Sequence, residues 1–180
     1  MESKDIDISQ LINRFVESRL LDQRIIVISE GITAQVARSV ITNLLMLEAI
    51  APGKPINVYL NSPGGEVNSG FAIYDTIRYI SSPVRIISTG LTASIATIIF
   101  LAADKKDRYS MPNAKSMIHQ PAIAGQLYGQ ASDLEITARE ILKTRQKANE
   151  LISKETGQPL ERVEQDTTRD YWMNAAEAKE

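Results

Sequence analysis

Residues 56–66 read Ile-Asn-Val-Tyr-Leu-Asn-Ser-Pro-Gly-Gly-Glu, and this stretch decides the fold. Its first half is an alternating run of β-branched and aromatic residues, a strand over 56–60. Asn61-Ser62-Pro63-Gly64-Gly65 then forms a turn, and helical spacing of apolar residues follows over 67–80. The order returns at once. Ser81-Ser82-Pro83 stops the helix, a strand runs over 84–88, and Thr89-Gly90-Leu91-Thr92-Ala93 leads into a second helix near Ser94 that ends near Ala103. Strands alternating with helices at these lengths predict an α/β domain.

The flanks fit the same plan. Ile8, Leu11, Ile12, Phe15, Val16 and Leu20 recur at helical spacing, and 24–29 is a short strand. Thr33 is placed to cap a helix reaching Ile50, with Val36, Val40, Leu44 and Leu47 on one face. Downstream, a strand over 115–119 ends at Gln120-Pro121 and enters a loop rich in Gly and Gln. A long helix follows, opened by a capping box at Ser132 and Glu135 and closed near Gly157. A short helix over 160–165, a turn carrying Asp170 and a helix start at Asn174 and Glu177 complete the chain. Its 180 residues contain no linker, so 1–180 reads as one domain. Residues 1–22 are its N-terminal segment and helix, and 122–157 a loop and long helix.

Composition excludes whole classes of function. The net charge is −2 and Lys105, Lys106 and Arg108 are too few to make a nucleic-acid patch. With no cysteine, thiolate metal sites and cysteine nucleophiles are impossible, which suits a reducing compartment. The apolar run over 95–103 is far shorter than the ~20 residues of a membrane span, and the polar start Met1-Glu2-Ser3-Lys4-Asp5 is not a signal peptide. The expectation is a soluble cytoplasmic protein that touches neither membrane nor nucleic acid. The chain has no Walker motif, no G-x-G-x-x-G and no metal-ligand spacing, so no cofactor and no metal are expected.

Two strand-to-helix turns carry the chemical interest. Helix-opening amides have no intrahelical partners, and at Gly64-Gly65 no Cβ blocks approach to them, so the turn suits a phosphate or a developing oxyanion. A ligand-free tight turn fits the same residues equally well. Ser94 opens the second helix beside the amide of Ile95, a nucleophile next to an oxyanion donor. A helix-opening serine is, however, more often simply a cap. His119 is the sole histidine, so any histidine base serving Ser94 must be His119, although on residue type alone a strand-end histidine with no special role fits as well. Asp166 and Asp170 are both turn carboxylates able to orient an imidazole, and spacing does not choose between them.

Together these segments resemble a family. Asn61-Ser62-Pro63-Gly64-Gly65, Gly90-Leu91-Thr92-Ala93-Ser94, Met117-Ile118-His119-Gln120-Pro121, Arg139-Glu140-Ile141-Leu142 and Asp166-Thr167-Thr168-Arg169-Asp170, with Asn174-Ala175 and Glu177-Ala178 behind them, are similar to the proteolytic subunit of Clp proteases in content and order. The resemblance implies a crotonase-like superhelix of ββα units with a protruding helical handle. It implies a serine endopeptidase with Ser94 as nucleophile, His119 as base and Asp170, rather than Asp166, as the acid. The backbone N–H groups of Gly65 and Ile95 would form the oxyanion hole. Two stacked seven-membered rings are implied, docked by an AAA+ unfoldase that consumes the ATP and feeds in unfolded polypeptide, with Tyr59 in the docking cleft.

The sequence also departs from the family pattern. The first fifteen or so residues do not match the usual axial loop, Ile95 stands where Met is usual, and Glu66 where a small or apolar residue is common. The loop over 122–128 is longer, and similar chains continue beyond Glu180 into a short strand. These departures suggest a divergent paralogue, whose rings are homomeric or shared with a second proteolytic subunit. A catalytically silent ring subunit and a crotonase-type acyl-CoA hydratase or isomerase are the alternatives.

Overall fold

The computed structural model describes residues 8–122 and 128–180. Within them the order is α1 (Ile8–Asp22), β1 (Ile25–Ile28), α2 (Ala34–Ile50), β2 (Ile56–Ser62), α3 (Val67–Tyr79), β3 (Val84–Ala93), α4 (Ile95–Leu101), β4 (Arg108–Ser110), β5 (Lys115–Ile118), α5 (Ala131–Thr156), α6 (Leu160–Asp166) and β6 (Tyr171–Asn174). All six strands belong to one sheet of order β1-β2-β3-β5-β6, with β4 also on β3. Every pairing is parallel except β5 with β6.

One face of the sheet is the core. Ile26, Ile28, Ile56, Val58, Leu60 and Ile86 alternate inward, as period-2 side chains must, and meet Leu44 of α2, Ile73 and Ile77 of α3 and Ile99 of α4 in one buried cluster. The expected face of α2 forms, with Thr33 accepting from the Val36 amide at 3.2 Å, although Ala37 is buried and Val36 only half-buried.

Several expected boundaries move. Strand β1 starts at Ile25, not Arg24, because Arg24 takes a left-handed φ of 59° and turns its guanidinium onto the carbonyls of Leu47, Lys54 and Pro55 at 2.8–3.0 Å. The turn expected at 89–93 is instead more strand. β3 continues to Ala93, changing partners on the way: β4 lies against Ile86–Ser88 and β5 against Leu91–Ala93. The side chain of Asn61 bridges the irregularity, its Oδ1 accepting from the Leu91 amide at 2.9 Å. Gly90 is required there, since a Cβ would stand 2.6 Å from that oxygen.

The capping box at Ser132 and Glu135 does not form. The helix begins earlier, with Gln130 extended at its N-cap and no side-chain cap, so Ser132 already lies within the first turn and Glu135 pairs with Arg139. Two strands, β4 and β6, were not expected. β6 forms because Tyr171–Asn174 pairs antiparallel to β5. Beyond it the box at Asn174 does form: Asn174 Oδ1 accepts from Glu177 N at 3.0 Å, and Glu177 Oε2 from Asn174 N at 2.7 Å. It opens only a single 3-10 turn.

Helix α5 is the protruding element. Its 26 residues span about 39 Å at 1.5 Å each. Nearly all of 131–143 is exposed, while Asn149 and Ile152 are buried, so the C-terminal half packs on the domain and the rest stands clear of it. The expectation of a longer loop over 122–128 falls mainly outside the described residues.

Candidate active site

Parallel neighbours end on the same side of a sheet, so the turns after β2 and β3 meet at one edge. That is why two segments thirty residues apart in sequence become one site. At Gly64 the contact is closer than an ordinary residue allows: a Cβ there would lie 2.6 Å from Ser94 Cβ and 2.8 Å from the Ala93 carbonyl oxygen. Gly64 also has a φ of +93°, open to glycine at little cost. A Cβ at Gly65 would lie 2.2 Å from Ile32 O.

Ser94 stands at the N-cap position of α4 but does not cap the helix with its side chain. Its φ of 56° and ψ of −127° lie outside the regions favoured by L-residues, and its side chain makes no cap bond. The strain is held by a main-chain clamp. Ser94 N donates to Met117 O at 2.9 Å, and Thr97 N donates to Ser94 O at 3.0 Å. This sharp strand-to-helix turn lifts Oγ out of the sheet, the device by which strained turns present nucleophiles.

Strand β5 supplies the partner. His119 follows its last residue, and its Nε2 lies 2.8 Å from Ser94 Oγ. On the other side of the ring, Nδ1 lies 3.1 Å from Asp170 Oδ1. A carboxylate only accepts, so Nδ1 carries the proton there and Nε2 is left to accept from the Ser94 hydroxyl. The imidazole side chain is 27% exposed and the Asp170 carboxylate 60%. Asp166 is directed elsewhere, to Arg162 one turn back in α6 at 3.5 Å.

Ile95 follows this serine in the chain, and Gly65 follows Gly64, which meets it. Gly65 forms an isolated parallel bridge with Ile32 whose bonds are carried by its neighbours, Gly64 O to Ile32 N and Glu66 N to Ile32 O, each 2.8 Å. The intervening Gly65 amide therefore faces away from Ile32. Ile95 is the first residue of α4, where an amide has no partner within the helix. Gly70 lets α3 approach here, since a Cβ on it would lie 2.1 Å from Ile95 Cγ1. Beside Ser94 is an apolar pocket lined by Val67, Phe71, Ile98, Ile118, Ala148 and Ile152, with Thr144 the polar residue contributed by α5.

The family model for Clp protease matches residues 10–180. This chain belongs to the Clp protease family. Among solved structures it is similar to a point mutant of ClpP1 from Listeria monocytogenes, with 40% identity and a TM-score of 0.83, covering 91% of this chain and 90% of that one. The α/β fold described above is the family's fold, and membership makes the chain a protease subunit.

Within this Clp protease family member, Ser94, His119 and Asp170 are brought together, and Tyr59, expected in a docking cleft, lies apart from them. Tyr59 lies in the middle of β2, in register with Val27 and Ile87. Sequence reasoning did not find Asn61, Gly70 or Gln120. Gln120 ties the strand end to the acid's turn, its amide donating to Thr167 O at 2.7 Å and its side chain to Thr168 O at 2.9 Å. Its place directly after the lone histidine was the available signal. Among the described residues no cluster of His, Asp and Glu is arranged to hold a metal ion, and no helix is long and apolar enough to cross a membrane.

Proposed function

We propose that this chain is the serine endopeptidase subunit of an unfoldase-coupled Clp protease, with Ser94, His119 and Asp170 as its catalytic triad. The observation that carries this reading is the continuous hydrogen-bonded chain from Ser94 Oγ through both ring nitrogens of His119 to Asp170. In the proposed reaction Ser94 Oγ attacks the scissile carbonyl while His119 Nε2 takes its proton. Asp170 holds the ring in the tautomer that leaves Nε2 free and stabilises the imidazolium as it forms. The carbonyl oxygen, now anionic, is received by the amides of Gly65 and Ile95. His119 then protonates the leaving amine, and water activated by the same imidazole hydrolyses the acyl-enzyme. No metal or cofactor takes part.

The pocket beside Ser94 supports an apolar residue before the cut, because its walls offer no charge to pair with. A docking face is supported on the other side of the sheet. Val27, Tyr59, Ile87 and Tyr109 form one cross-strand row over β1, β2, β3 and β4, with Val27 and Tyr109 about half exposed. We assign this row to apolar loops of an AAA+ partner, which would spend the ATP. The assembly is read as two stacked seven-membered rings with α5 as the handle between them, in the cytoplasm.

Fluorophosphonate labelling, read by intact mass and peptide mapping, tests the reading. A single adduct on Ser94 that disappears in His119→Ala is the expected result. An unlabelled Ser94, both alone and mixed with a second proteolytic subunit, would show a silent ring subunit instead.

A further inference from the structure

Asn149 on α5 is 2% exposed and Thr167, just after α6, is 0% exposed, in a region whose other buried residues, Ile152 and Val163, are apolar. Their side chains meet at 3.1 Å between Thr167 Oγ1 and Asn149 Oδ1. Thr167 Oγ1 also lies 2.7 Å from Val163 O. One hydroxyl proton cannot serve both oxygens. Given to the nearer carbonyl, it leaves Oγ1 to accept from the Asn149 amide, whose two ends exchange by a rotation about χ2. In either arrangement the two side chains are partnered. Removing the Thr167 hydroxyl takes this partner from the buried Asn149 amide, whereas removing Asn149 leaves Thr167 bonded only within its own helix, to Val163 O.

Two apolar residues could pack α5 on α6 equally well, so packing does not explain the pair. What a hydrogen bond adds is a fixed direction for the backbone that bears it. Thr167 is where that direction matters. Its side chain is held from α5, while its carbonyl accepts from Gln120 N at 2.7 Å, the residue next to His119. Three residues on, the same turn delivers Asp170 to His119 Nδ1.

We infer that Asn149 is a positioning residue for the acid, acting through Thr167 to hold the turn that sets Asp170 against His119. The inference rests on the triad reading above and deepens it. Asn149 touches none of the reacting groups. Its effect is confined to the side of the imidazole that meets the acid, because Ser94 is clamped separately by Met117 and Thr97.

That confinement makes the inference testable by a mutant cycle on the full chain. The rate of Ser94 labelling is measured for Asn149→Ala and Thr167→Val, each in the wild-type background and with Asp170→Asn, with melting temperatures recorded alongside. Each change is expected to slow labelling roughly tenfold or more in wild type, as small misplacements of reacting groups do. With Asp170→Asn in place, each should slow it by less than about twofold, since the residue they position is already lost. Thr167→Ser, which keeps the hydroxyl, should restore the wild-type rate. Equal losses in both backgrounds, or no loss in wild type, would overturn the positioning role while leaving the triad intact. If Asp170→Asn alone leaves labelling unchanged, the acid's assignment falls and this inference falls with it. Should Asn149→Ala fail to fold, Thr167→Val, which preserves the side-chain shape, decides the question.

Discussion

Gly64 and Ser94 touch without a side chain between them: a Cβ on Gly64 would stand 2.6 Å from Ser94 Cβ and 3.2 Å from Ser94 Oγ. The neighbouring Ala93 carbonyl, 2.8 Å from the same point, is main chain and cannot move aside cheaply. Gly64→Ala must therefore displace the serine turn as well as adopt an unfavourable φ of +93°. Its expected cost is about 1–3 kcal/mol in stability, with Ser94 labelling slowed at least roughly tenfold. Gly53→Ala is the control, since φ is +76° there with open space around the new methyl. It should cost about 1 kcal/mol and leave labelling unchanged. Denaturant titration and labelling of both variants separate strain in the backbone from damage to the site.

Arg108 closes the other end of the helix that Ser94 opens. Its guanidinium donates to the carbonyls of Leu101 and Ala103 at the end of α4, at 2.9 and 2.8 Å, and to Glu155 O at 2.7 Å. It also pairs with the Glu155 carboxylate, both side chains being nearly buried at 10% and 12% exposed. Arg108→Met leaves a carboxylate and three carbonyls without their donor and is expected to cost about 3–5 kcal/mol. Glu155→Gln should cost distinctly less, because the three carbonyl bonds survive. Urea midpoints at constant m would check the order, and a milder loss for Arg108→Met than for Glu155→Gln would refute it.

How far the sequence could be read depended on the length of each signal. The units over 56–80 and 84–103 were legible because strand, turn and helix each ran for several residues with a clear period. Strands β4 and β6 were not: unlike the equally short β1 and β5, they contain no β-branched residue, and they are defined by what they pair with. The turn-like Thr89-Gly90 concealed a continuing strand, because the partner that completes it is the Asn61 side chain from the preceding strand. Ser94 as nucleophile could not be separated from Ser94 as cap on residue type alone, and only the φ of 56° and the missing cap bond speak against side-chain capping. By contrast, the choice between Asp166 and Asp170 did leave a local trace. Arg162 stands one helical turn before Asp166 and claims its carboxylate.

The pH dependence of stability has an identifiable source at Glu48. Its Oε1 accepts from Ser81 N and its Oε2 from Ser82 N, both at 3.0 Å, with the Ser81 hydroxyl also donating. Hydrogen bonds from Ser81 and then Ser82 hold the carboxyl at about 2, against an ordinary 4.5. The folded state therefore favours the ionised form more than the unfolded chain does, and this contribution is complete above about pH 4.5. It is lost as pH falls from there towards about 2, where the folded group also takes up its proton. Glu48→Gln should lower Tm at pH 7 and flatten its dependence on pH across that window. Parallel melting curves for the two proteins between pH 5 and pH 2 would rule this source out.

Tyr59 separates the proposed partner from the proposed chemistry. It sits in the cross-strand row with Val27, Ile87 and Tyr109, whereas Ser94 lies beyond the end of β3, past Ala93. Side chains facing each other across neighbouring strands form a continuous surface, so truncating the central tyrosine opens a gap in the row. Aromatic residues at the centre of an interface are its usual energetic anchors, at 2 kcal/mol or more. Tyr59→Ala should thus weaken unfoldase binding by roughly thirtyfold, while Ser94 labelling and cleavage of a short unstructured peptide stay within about twofold of wild type. Tyr59→Phe, which keeps the ring, should bind nearly as the wild type does. The measurement is degradation of a folded, tagged substrate with ATP and the unfoldase, beside peptide cleavage without them. Loss of both activities in Tyr59→Ala would mean the row supports the fold rather than a partner, and loss of neither would place the docking face elsewhere.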